Sequence, residues 1–70
     1  MEKLAALLAW ADENNVRLVF KFIPDQKPSV FVVEAQVPFV HPDRKHTFEF
    51  VRKRGKTVEE VCRAFLVHVR

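Results

Sequence analysis

Over residues 2–13 the apolar positions Leu4, Leu7, Leu8 and Ala11 recur at helical spacing and predict an amphipathic first helix. Asn14 and Asn15 follow, and asparagine tolerates the left-handed backbone that ends helices. The period then changes to two. Val16, Leu18, Phe20 and Phe22 fall on one side of a first strand, with Arg17, Val19, Lys21 and Ile23 on the other. Residues 24–29, bracketed by Pro24 and Pro28, read as a turn. A second strand is predicted over about 30–37, with Phe31, Val33, Ala35 and Val37 on one face and Val30, Val32, Glu34 and Gln36 on the opposite one. Pro38 and Pro42 then predict a loop over about 38–45. The third strand covers about 46–53, with Phe48 and Phe50 on one side and Thr47, Glu49, Val51 and Lys53 on the other. After Gly55, Thr57-Val58-Glu59-Glu60 matches a capping box, in which the threonine hydroxyl and a glutamate carboxylate satisfy free amides. The second helix that it opens carries Val58, Val61, Cys62, Phe65 and Val69 on one face, with Leu66 at the margin.

Helix, strand, strand, strand, helix with short connections predicts an α+β fold: a two-layer α-β-β-β-α sandwich. Its sheet is a three-stranded antiparallel meander with both helices packed on one face. The face expected beneath the helices is Phe20, Phe22, Phe31, Val33, Phe48 and Phe50. Strand parity then turns Val19, Ile23, Val30, Val32 and Val51 outward. Seventy residues make a single domain, 1–70. A chain of this size buries only about 60% of its unfolded surface, so its core must be dense. A composition that is 49% hydrophobic, with seven Phe and one Gly, meets that demand and argues against disorder.

Candidate chemistry is sparse. The charge-free stretches 4–11 and 35–42 fall far short of the roughly 18 apolar residues of a membrane helix. No signal peptide is expected, since Glu2 and Lys3 lead into a run ending at Asp12 and Glu13 without a cleavage site. The single cysteine, Cys62, forms no internal disulfide, which points to a reducing, cytoplasmic setting. Ser29 lies in a turn without a base beside it. Cys62 and His68 lie about 9 Å apart along one helix and about 120° apart around it, so they do not meet as nucleophile and base. His41, Asp43 and His46 are zinc-ligand types but lack a second ligand pair. Gly55 alone makes no phosphate loop. The expectation is a non-enzyme with no cofactor, no metal and no small-molecule substrate.

Two surfaces remain. Residues 44–56 hold Arg44, Lys45, Arg52, Lys53, Arg54 and Lys56 against Glu49, a local balance of +5 within a formal net charge of +3. Such clusters suit phosphate contacts. In element order the chain resembles the double-stranded RNA-binding domain, which reads grooves with a helix and a strand–strand loop. That resemblance is one of topology. Residues 24–29 lack the family's Gly-Pro-x-His, and Glu59 and Glu60 stand where the family has lysines, so no binding residue is carried over. Lys53, Arg54 and Lys56 remain as phosphate candidates.

The second surface is the open sheet face. Val19, Ile23, Val30, Val32 and Val51 form an apolar patch ringed by charge, the composition of an interaction site, with Trp10 at the edge of the first helix's stripe. The leading expectation is therefore a non-enzymatic protein-interaction module: an adaptor, an inhibitor or a self-associating domain, with a protein partner or a second copy bound on that face. The alternative is sequence-independent binding of duplex RNA or DNA through 44–56. No membrane is expected to be involved.

Overall fold

The structure is a computed structural model that describes residues 1–25, 27–41 and 44–70, with side chains described for all of these except 39–41 and 44–47. Five elements follow one another: α1 Glu2–Asn14, β1 Val19–Ile23, β2 Val30–His41, β3 Arg44–Gly55 and α2 Val58–Val69. The strands form one antiparallel sheet in the order β1-β2-β3, and the predicted α+β layout is observed. Both helices lie on one face of the sheet: α2 packs over β2 and β3, and α1 packs beside α2.

The helix ends follow from local chemistry. Asn15 adopts φ 55°, ψ 45°, and this left-handed step lets its N–H and that of Val16 reach back to carbonyls of the last turn, with Val16 N–H donating to Ala11 at 2.9 Å. At α2 the Thr57 hydroxyl accepts from the Glu60 N–H at 3.0 Å, and the Glu60 carboxylate accepts from Lys56 N–H at 3.2 Å. Glu59, expected to serve the same cap, serves the other helix instead. Its carboxylate accepts from Lys3 N–H at 2.9 and 3.0 Å and from Leu4 N–H at 3.4 Å. Met1, at the N-cap of α1, offers no side-chain acceptor, so the free amides of α1 are met by a charge from α2. Replacing this carboxylate in Glu59→Ala is expected to cost about 1–2 kcal/mol in urea unfolding, with Glu59→Gln recovering part of the loss. An unchanged midpoint in both variants would show that the inter-helix cap contributes nothing.

The sheet departs from the expected parity in its third strand. β1 and β2 behave as their alternation predicts: Phe20 pairs with Val33 and Phe22 with Phe31, all on the helix side. In β3 the sets are exchanged. Val51 lies opposite Ala35 and faces the helices at 2% exposure, whereas Phe48 and Phe50 face away at 64% and 55%. A bulge is responsible. At the hairpin tip His41 pairs with Arg44, but the next pair is Phe39 with Thr47, so two β3 residues stand against one in β2. One extra residue swaps the faces of everything beyond it. Without it, the tip register would place Phe50 opposite Ala35 and Phe48 opposite Val37, beneath the helices.

The loop expected over 38–45 is largely strand, since β2 continues to His41 and β3 begins at Arg44. Pro38 is tolerated because β1 pairs with β2 only from Val30 to Glu34; at Pro38 the strand has β3 on one side alone and needs no donor on the other.

The core is aliphatic rather than aromatic: Leu7, Val33, Ala35, Val37, Val51, Val61, Cys62, Phe65 and Leu66. Of the phenylalanines with described side chains, Phe65 alone is fully buried.

Candidate functional site

The sequence placed its apolar site on the sheet face away from the helices. Val19, Ile23 and Val30 do lie there, Val19 at 41% exposure and the other two half-buried. Val51 does not; the bulge carries it into the core. Val32 shares that outer face yet is fully buried, because its cross-strand neighbours are Lys21 and Arg54, whose aliphatic stems flank a small side chain. Trp10 is half-buried and set edge-on to Phe65, with ring centroids 5.8 Å apart and planes at 64°, so it is a core-edge residue. The valine patch is therefore broken into separate pieces.

What fills the outer face is a mixture of aromatics and charge. Phe50 stands opposite Gln36, Phe48 opposite Pro38, Arg52 opposite Glu34 and Arg54 opposite Val32. Glu34 anchors the middle of the face, with Lys21 Nζ at 2.7 Å and Arg52 Nε at 3.7 Å. Of the basic candidates, Arg52 and Arg54 thus share this face, Lys53 lies on the helix side opposite Val33, and Lys56 follows β3. The side chains of Arg44, Lys45, His41 and His46, and the whole of Asp43, lie outside the described residues.

A second surface, missed by the sequence reading, lies on the helix side. Phe20 and Phe22 point toward the helix layer, as their parity requires, but they are not covered: 43% and 53% of their surfaces remain exposed. With Met1, Leu4 and Leu8 of α1, Phe31 of β2 and Val58 of α2, they line an open groove of about 450 Å³ between α1 and β1. Phe22 and Phe31 lean together at a centroid distance of 4.9 Å and form its floor. Leu8, half exposed, hangs over it. The walls are almost wholly apolar, with Lys21 at the rim. Periodicity marks Leu8, Phe20 and Phe22 as core; they stay exposed because α2 packs on β2 and β3, a placement that no local sequence signal carries.

Cys62 is fully buried in the core, where desolvation pushes its thiol pKa up and the negative charge of nearby Glu59 adds to the rise. A neutral, enclosed thiol packs as a small hydrophobe and is a poor nucleophile. His68 Nε2 lies 3.0 Å from Glu49 Oε1 at the surface and ties the end of α2 to β3. No helix is long and apolar enough to cross a membrane among the described residues. Compared with known proteins, the chain matches no family model, no curated protein and no solved structure.

Proposed function

We propose that this chain is a non-enzymatic protein-interaction module that binds its partner in the groove between α1 and β1, in a reducing, cytoplasmic setting. The observation that supports this reading is the contiguous exposure of Met1, Leu8, Phe20 and Phe22 around one groove, beside an edge strand. Isolated exposed hydrophobes are ordinary, but a connected apolar trough, lined here by a single charged residue, Lys21, has the make-up of a binding surface. β1 adds directional chemistry. As an edge strand it carries backbone donors and acceptors that an added strand can use, and the aromatic side chains beside it supply pockets for alternate residues.

The chain, immobilised and exposed to nuclease-treated cell extract, is expected to retain protein, an untagged copy of itself included. The variant Phe22→Asp is expected to lose that protein, and Phe50→Asp to keep it. Equal retention by Phe22→Asp would remove the groove as the site.

One observation favours a second reading. Phe48 and Phe50 are bare aromatics on the same face as Arg52 and Arg54, the combination on which single-stranded or splayed bases stack while the backbone meets positive charge. In that case the retained material disappears on nuclease treatment, and Phe50→Asp rather than Phe22→Asp abolishes retention.

A further inference from the structure

The bulge in β3 re-aims two rings. Phe48 and Phe50, two residues apart on one strand, stand in water on the sheet face away from both helices. Among the described residues neither ring packs on another aromatic ring. Alternate residues of a strand lie about 7 Å apart on one face. That is about twice the ~3.4 Å rise of a stacked nucleic-acid strand, so neighbouring bases meet both rings only when the strand is drawn out and its bases are separated.

The charge beside the rings has one dominant sign. On this face the strands carry Lys21, Arg52 and Arg54 against Glu34, their single acid among the described residues. Glu34 is held between Lys21 and Arg52, two cations on one carboxylate, so the surplus is positive. Next to Phe50 lies an open depression of about 230 Å³ whose lining includes Arg17, Glu34 and Gln36. Gln36, the exposed cross-strand neighbour of Phe50, sets an amide donor and acceptor beside anything stacked on that ring. Past Arg52 the strand runs on to Arg54, which shares a second open depression with Lys27, Lys56 and Glu60. The Glu60 carboxylate there accepts from the Lys56 N–H at 3.2 Å. Aromatic rings thus lead into cations along one line, from Phe48 to the end of β3.

We infer that this line is a track for single-stranded nucleic acid, with consecutive bases stacked on Phe48 and Phe50 and the phosphates beyond them at Arg52, Arg54 and the depression shared by Lys27 and Lys56. The inference rests on the second reading above and narrows its ligand to an unpaired strand. In a duplex the bases cover one another and their faces are closed to a side chain, whereas a separated strand offers each ring a base. An acidic peptide would satisfy the cations and leave the two rings unused; a base with its phosphate engages both at one repeat. The groove between α1 and β1 lies on the helix side, so its occupancy is independent of this face.

Fluorescence anisotropy of an end-labelled oligothymidylate of about 12 nucleotides, a length within the site sizes of such surfaces, tests the track. The wild-type chain is expected to bind it with a log–log salt slope of about −2, the value for about three phosphates on a single strand. The duplex of the same strand with oligoadenylate is expected to compete at least about tenfold more weakly. Phe48→Ala and Phe50→Ala are each expected to weaken binding about tenfold, and Phe50→Trp to preserve it. Arg54→Gln is expected to reduce the magnitude of the salt slope by about 0.7, and Phe22→Asp to leave binding in place. Circular dichroism of each variant shows whether it remains folded. Equal affinity for duplex and single strand, or binding indifferent to both alanine variants, overturns the track and leaves a nucleic-acid reading that rests on charge alone. No binding of either probe at about 0.1 mM protein and low salt removes the inference and the second reading together. So does a protein retained through Phe50 from nuclease-treated extract, which would assign the face to a protein partner.

Discussion

Val51→Asp is expected to unfold the chain, while Phe50→Asp, one residue earlier, leaves it folded with a stability change within about 1 kcal/mol. Residue type alone suggests the reverse, because a phenylalanine normally contributes more to a core than a valine. Side-chain placement decides the matter. Val51 is 2% exposed and packs within the cluster formed by Ala35, Val61 and Phe65, so a carboxylate there loses its water and gains no partner. That costs more than about 4 kcal/mol, a large part of the roughly 4–10 kcal/mol that holds a domain of this length together. At position 50 the side chain already stands more than half in solvent, opposite Gln36. Far-UV circular dichroism and urea titration of the two variants read the difference. The opposite outcome, with Phe50→Asp unfolded and Val51→Asp intact, would mean that β3 pairs in the unbulged register.

The second large effect is expected at Phe65. Its ring is fully buried, packs among residues of both helices and the sheet, and carries the indole of Trp10 against its edge. Phe65→Ala is expected to destabilise by about 3–5 kcal/mol, the combined cost of lost transfer energy and a cavity that a small core cannot collapse around. Phe65→Leu, closer in volume, is expected to cost less than about 1.5 kcal/mol. Trp10 is the single tryptophan and reports both unfolding and local loosening through its emission. A Phe65→Ala variant that unfolds at the wild-type urea midpoint would show that the helix layer is held by other contacts.

The two predictions probe different kinds of information. Phe65 is legible from spacing: Val58, Val61, Cys62, Phe65 and Val69 make one stripe, and every member is buried or half-buried. The stop at Asn15 and the threonine cap at 57 are legible as well, since each depends on a residue and its neighbours within one helical turn. The parity of β1 and β2 follows from alternation along five to eight residues, and the structure keeps it. Val51 is different. Its neighbours alternate as well as those of any strand, but alternation defines two faces without saying which one meets the helices. The expected face, with Phe48 and Phe50 beneath the helices, is reversed in β3 by the bulge near the hairpin tip.

The groove was half legible. That Phe20 and Phe22 point toward the helix side is a property of β1 itself. That they stay exposed among the described residues is a property of the layers, arising because α2 packs on β2 and β3 while α1 packs on α2 and makes no close backbone contact with a strand. Glu59 shows the same division. Its place after Thr57 suggested a cap within its own helix, and only the approach of α1 to α2 gives its carboxylate the amides of Lys3 and Leu4 to bind.

The element order, the helix ends, the faces of the first two strands and the stripe of α2 were thus set by interactions between residues within a turn or a few positions of one another, where backbone preference and side-chain period act directly. The burial of Val51, the exposure of four phenylalanines, the inter-helix cap and the uncovered edge of β1 were decided by which distant segments came together. The physical reason is that a one-residue bulge and the packing of α1 on α2 rather than on the sheet leave hydrophobic periodicity unchanged, yet they determine which surfaces water can reach.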